Sequence, residues 1–120
     1  MYNTLRDFLE SKISLHQLKA TCGENLYRVE IGSPLIVSSK DVILLIKKYL
    51  AKQKSLQDVV DWVNVVWFTD LFEYNPIEED TISSVMPYLE SLDEDDVNFS
   101  DKDLLKMIHC LSQNIEYERN

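Results

Sequence analysis

The sequence predicts a mainly α, single-domain helical bundle of about five or six helices spanning residues 1–120, with at most a small β-hairpin near residues 26–37. Three observations predict it. The chain holds 2 glycines and 3 prolines, too few for the many turns of an all-β fold. Helix-start signals recur along it, and each is followed by apolar residues at helical spacing. A chain of 120 residues, 45% of them hydrophobic, is of ordinary single-domain size and can build one core without staples.

The helix starts share one device. A serine side chain can meet the backbone N–H three residues on, while an acid or glutamine at that place reaches back. Ser14 with Gln17, Ser38 with Asp41, Ser55 with Asp58 and Ser100 with Asp103 all fit. Asn75, Pro76 and Glu78 suggest a fifth start, with proline at the first helical position, where its missing N–H costs nothing. Leu5, Phe8 and Leu9 mark a short first helix; Leu15, Leu18 and Cys22 mark a second, ended by Gly23. Val42, Leu45, Ile46 and Tyr49 mark a third. Leu56, Val59, Val60, Val63 and Trp67 mark a fourth. Ile82, Val85, Met86 and Leu89 mark a fifth, which Pro87 should kink or end. Leu104, Leu105, Ile108 and Leu111 mark the last.

One stretch reads differently. From Leu26 to Ile31 the residues alternate, with Tyr27, Val29 and Ile31 on one side. Gly32-Ser33-Pro34 then turns the chain into Leu35-Ile36-Val37, which suits a hairpin resting on the helices.

The residues that carry most known chemistry are sparse. His16 and His109 are the only histidines, and neither falls in a zinc-binding spacing. The acidic run Asp93-Glu94-Asp95-Asp96 invites a calcium loop. A loop counted from Asp93 ends at Leu104, and one counted from Asp96 ends at Met107, with Asp101 where glycine is needed. No nucleophile elbow or phosphate-cradling glycine loop occurs, and no carboxylate pair stands out as an acid and base. The expectation is a protein with no cofactor, no metal and no catalytic site. Cys22 and Cys110, far apart in sequence, read as reduced, buried thiols. With no apolar leader or membrane-length segment, the expected location is cytoplasmic.

Charge is the most informative feature. The 21 acidic and 12 basic residues leave a net charge of −9, the wrong sign for direct nucleic-acid binding. From Ser55 to Asp101 there are 13 acidic residues and no Lys or Arg, whereas before Ser55 there are 5 acidic and 9 basic residues. Helix dipoles account for Glu78, Glu79 and Asp80, and a hydrated loop for Asp93 to Asp96. Neither accounts for the missing lysines, since self-repulsion of this kind opposes compaction unless a cationic partner relieves it. The acids Asp58, Asp61, Asp70, Glu73, Glu78, Glu79, Asp80, Asp93, Glu94, Asp95 and Asp96 are therefore candidate partner-binding residues. The fourth helix adds an aromatic candidate. Trp62, Val65, Val66 and Phe68 lie partly off its core stripe. Either the helix is central in the bundle, or Trp62 or Phe68 is an exposed anchor beside Asp58, Asp61 and Asp70.

The pattern from Lys48-Tyr49-Leu50, through the capped Ser55-Leu56-Gln57-Asp58 to Asp61-Trp62-Val63-Asn64, then Phe72-Glu73-Tyr74 and an acidic helix, resembles bacterial immunity proteins of polymorphic toxin systems. These include contact-dependent growth inhibition and colicin-like types. The similarity covers roughly Val37 to Leu111, with Val63 where a small residue such as alanine is expected. The resemblance implies a cytoplasmic monomer that binds one cognate toxin domain, often a basic nuclease, in a 1:1 complex and blocks its active site. The alternative is an acidic adaptor, or a DNA-mimic inhibitor of a DNA-binding regulator. Both need a basic protein partner, so charge does not separate them.

Overall fold

All four serine-led helix starts form. Ser14 N–H donates to Gln17 Oε1 at 2.8 Å and Gln17 N–H donates to Ser14 Oγ at 3.2 Å. Ser55 N–H donates to Asp58 Oδ2 at 2.9 Å, answered by Asp58 N–H to Ser55 Oγ at 3.1 Å. The pair Ser100 and Asp103 repeats this at 2.9 and 3.3 Å. Ser38 N–H and its hydroxyl both donate to Asp41 Oδ2, at 2.9 and 3.1 Å. Burial raises the Asp41 carboxyl above its ordinary value, against the lowering effect of those two bonds.

The structure, a computed structural model, describes residues 2–22, 34–69, 71–94 and 100–118. In order these form α1 (Tyr2–Leu9), α2 (Leu15–Cys22), β1 (Leu35–Val37), α3 (Ser39–Leu50), α4 (Leu56–Phe68), β2 (Phe72–Tyr74), α5 (Glu79–Glu90), a 3-10 turn (Ser91–Asp93) and α6 (Asp101–Gln113). The fold is mainly helical, as expected, with a small two-stranded sheet. Leu26 to Ile31, the expected first strand of a hairpin, lies outside the described residues. Leu35–Val37 is a strand, but its partner among the described residues is β2, in parallel, with Ile36 opposite Glu73. Parallel strands need a long crossover, and α3 and α4 supply it by running out and back between them.

That crossover orders the ends of the bundle. Ser39 N–H donates to Glu78 Oε1 at 3.2 Å, so α5 begins beside the start of α3. Asn114, which ends α6 in the left-handed region (φ 54°), accepts from Thr81 Oγ1 at 2.7 Å and donates to the Ile77 carbonyl at 3.1 Å. The sheet, the starts of α3 and α5 and the ends of α4 and α6 thus share one end. The opposite end brings the end of α3, the start of α4 and the start of α6 around an open cleft lined by Tyr49, Leu50, Lys52, Lys54, Ser55 and Asp101.

One apolar core joins the helices. Leu5, Phe8 and Leu9 of α1, Leu18 of α2, and Val42, Leu45 and Ile46 of α3 enter it. Ile82, Val85, Met86 and Leu89 of α5 are fully buried, about 1.5–3 kcal/mol each by transfer from water. Cys110 is a buried free thiol. Beyond α6 the chain stays docked: Tyr117 is buried edge-on to Tyr88, with ring centroids 5.2 Å apart, and its N–H donates to Ser84 Oγ at 2.8 Å. Three local expectations are corrected. Asn75-Pro76 forms a turn closed by Ile77 N–H to Asn75 Oδ1 at 3.0 Å, and the helix starts only at Glu79. Pro87 does not end α5, which continues to Glu90; Pro87 and Ser83, four residues back, both face water. Leu105, expected in the core stripe of α6, is exposed, and Met107 takes its place inside.

Candidate partner interface

Trp62 is buried in the core rather than exposed as an aromatic anchor. It is 2% exposed, and its indole N–H donates to the Leu9 carbonyl at 3.2 Å, which ties α4 to the end of α1. Val65 and Val66 are buried too, so α4 is the central helix, as its apolar character allowed. The expected core position of Trp67 is also corrected. Trp67 is 39% and Phe68 64% exposed, and their rings stack at 5.4 Å with 17° between planes. The signal was present in the sequence: Gln57, Asp61, Asn64 and Phe68 follow one another at helical spacing, so Phe68 extends a polar stripe. Thr69 closes the end of the helix, its hydroxyl donating to the Val65 carbonyl at 2.6 Å.

The acidic candidates divide between the two ends. Glu73, Glu78, Glu79 and Asp80 lie at the sheet-capped end. Asp58, Asp93 and Glu94 lie at the opposite end, and Asp61 sits one turn into α4. The 12 residues of α5 separate the groups by about 18 Å along its axis. Asp70, Asp95 and Asp96 lie outside the described residues. Several of these acids already serve the fold. Asp58 completes its capping box, Asp61 Oδ1 accepts from Gln57 Nε2 at 2.8 Å, and Glu78 holds the start of α3. Glu73, Glu79, Asp80, Asp93 and Glu94 are exposed, and none is ion-paired to a described lysine or arginine. Those five carboxylates are available to a partner.

Apolar residues missed by the sequence reading stand among the first group. Ile36, paired in register with Glu73 on the exposed side of the sheet, is 51% exposed. Ile77, just before Glu78, is 80% exposed, and Ile115, next to Asn114, is 53% exposed. Behind them, burial and then the nearby Glu79 carboxylate raise the Tyr74 phenol above its usual value, so it stays neutral. Its buried Oη has no hydrogen-bond partner among the described residues. Among those residues, no three His, Cys, Asp or Glu side chains converge as a metal ion would require. No described helix is long and apolar enough to cross a membrane. No family model, curated protein or solved structure matches the chain.

Proposed function

We infer that the protein is an immunity-type inhibitor: it binds a cognate bacterial toxin domain, a basic nuclease, and neutralises it by laying acidic surface over the positively charged substrate cleft. The observation that carries this reading is the charge distribution. Thirteen acids stand between Ser55 and Asp101 without one Lys or Arg, and Glu73, Glu79, Asp80, Asp93 and Glu94 are exposed without an ion pair to a described cation. Acids kept for solubility alone are normally interspersed with lysines. Unrelieved like charge costs stability, and a cationic partner repays that cost on binding. The resemblance from Val37 to Leu111 points the same way.

The test is neutralisation. Affinity capture from the native cells, followed by mass spectrometry, should return a basic protein that arrests growth when expressed alone and is harmless when co-expressed with this chain. The purified pair should form a 1:1 complex, and its association rate should fall as salt rises through the physiological range, where the Debye length shrinks to about 8 Å. A specific partner that is a non-toxic DNA-binding regulator would replace this reading with the DNA-mimic alternative. A neutral or acidic partner would end both.

A further inference from the structure

The large apolar side chains left exposed are not scattered. Among the described residues, five of the seven belong to the sheet-capped end: Ile36, Trp67, Phe68, Ile77 and Ile115, against Leu44 and Leu105 elsewhere. Single exposed apolar residues are ordinary on a protein surface, but several at one end, rimmed by charge, mark a contact surface. The stacked Trp67–Phe68 pair is already held in place by the closed end of α4, so a partner would order it at little further entropic cost. Glu73 flanks Ile36 across the sheet, and Glu79 and Asp80 follow Ile77 in the first turn of α5. Lys40, in the first turn of α3, is a cation at this end, and it makes no ion pair with these acids.

The opposite end differs in both respects. There Asp93, Glu94 and Asp101 share the surface with Lys52, Lys54 and Lys102, and among the described residues no exposed aromatic accompanies them. Building on the basic-partner reading above, we propose that the sheet-capped end is the docking surface, and that it takes a protein face bearing lysines or arginines around one or more protruding apolar side chains. Trp67, Phe68 and Ile77 are the apolar anchors, and Glu73, Glu79 and Asp80 are the acidic rim. Interfaces concentrate their energy in such central aromatic groups, while rim charges steer approach and select sign. A second copy of this chain is a poor occupant. A two-fold contact through this end would set Glu73, Glu79 and Asp80 against their own equivalents.

The two tryptophans make the test direct, because Trp67 is exposed and Trp62 is buried. Three short probe peptides free of tryptophan are titrated at low salt: an amphipathic one with leucines and lysines, a lysine–glycine one of equal charge, and the amphipathic one with glutamates in place of lysines. The leucine–lysine peptide should shift the emission saturably, and the shift should vanish in Trp67→Phe. Phe68→Ala, and separately the combined Glu73→Lys, Glu79→Lys and Asp80→Lys, should each weaken binding about tenfold or more. The combination of Asp93→Lys with Glu94→Lys should change it less than about threefold, as expected of charges outside the contact. Each variant is first shown to unfold at the native temperature, within a few degrees. Undiminished binding by Phe68→Ala, equal binding of the lysine–glycine peptide, or greater loss from the Asp93 and Glu94 pair would overturn the surface assignment and leave the basic-partner reading standing. Binding of neither lysine peptide would overturn both. A dimer in sedimentation that Phe68→Ala abolishes would overturn the proposed occupant in favour of a second copy.

Discussion

Two tryptophans five residues apart on α4 have opposite roles, and a single hydrogen bond shows why. Trp62 fills the space between α4 and α1 and gives its N–H to the Leu9 carbonyl. Phenylalanine in its place would keep most of the ring volume but leave that buried carbonyl unpaired. Trp62→Phe should therefore lower the free energy of unfolding by about 1–3 kcal/mol, read from urea denaturation. Phe68→Ala, out in water, should stay within about 0.5 kcal/mol of the native protein. A neutral Trp62→Phe would show that the indole N–H contributes nothing to holding α1. The residue reading from sequence had weighed Trp62 and Phe68 as the two candidate anchors. Periodicity favoured Phe68, which extends the polar stripe of Gln57, Asp61 and Asn64, but only weakly, because on a helix apolar around most of its surface both positions flank the core stripe.

At the scale of elements, what lies within four residues was legible. The capping boxes at Ser14, Ser38, Ser55 and Ser100 are local hydrogen-bond exchanges, and each formed where its residues stood. The end of α6 was not legible. Asn114 takes a left-handed conformation and joins Thr81 and Ile77, residues more than thirty positions away. Replacing it separates backbone from side chain. Asn114→Gly frees the backbone but loses both bonds, and should cost about 1–2 kcal/mol. Asn114→Ala loses the same bonds and adds the strain of a β-carbon in the left-handed region, about 1 kcal/mol more. Thermal melts of the two variants check the order; a glycine variant as stable as the native chain would show that the bridge to α5 is dispensable. Pro87 teaches the converse. The rule that proline ends a helix assumes that the orphaned carbonyl has nowhere to turn, and here that side of α5 faces water.

For the whole molecule, the governing quantity is a net charge of −9 on a body about 40 × 31 × 22 Å. At about 0.01 M salt the Debye length is ~30 Å, so acids at the two ends of the bundle still repel one another; at about 0.15 M it is ~8 Å, and they do not. Raising sodium chloride between these limits should therefore raise the melting temperature by a few degrees, whereas a chain held mainly by surface ion pairs would lose stability. Calorimetry at the two salt concentrations decides it, and a falling melting temperature would mean that the acids are compensated within the fold after all.

The sequence by itself determined the helical class, the four serine-capped starts, most of the buried stripe and the acidic bias after Ser55. Each of these rests on composition or on groups three or four positions apart, where chain geometry leaves little choice. Tertiary structure decided the rest. It paired Leu35–Val37 with a strand 37 positions along the chain, because an extended segment records its own alternation and not its partner's. It buried Trp62 and exposed Trp67, because a helix's outward side is set by which neighbours pack against it. It also split one acidic stretch of sequence between two ends of a bundle, because α5 carries the chain about 18 Å from Glu79 to Glu90 before the next acids arrive.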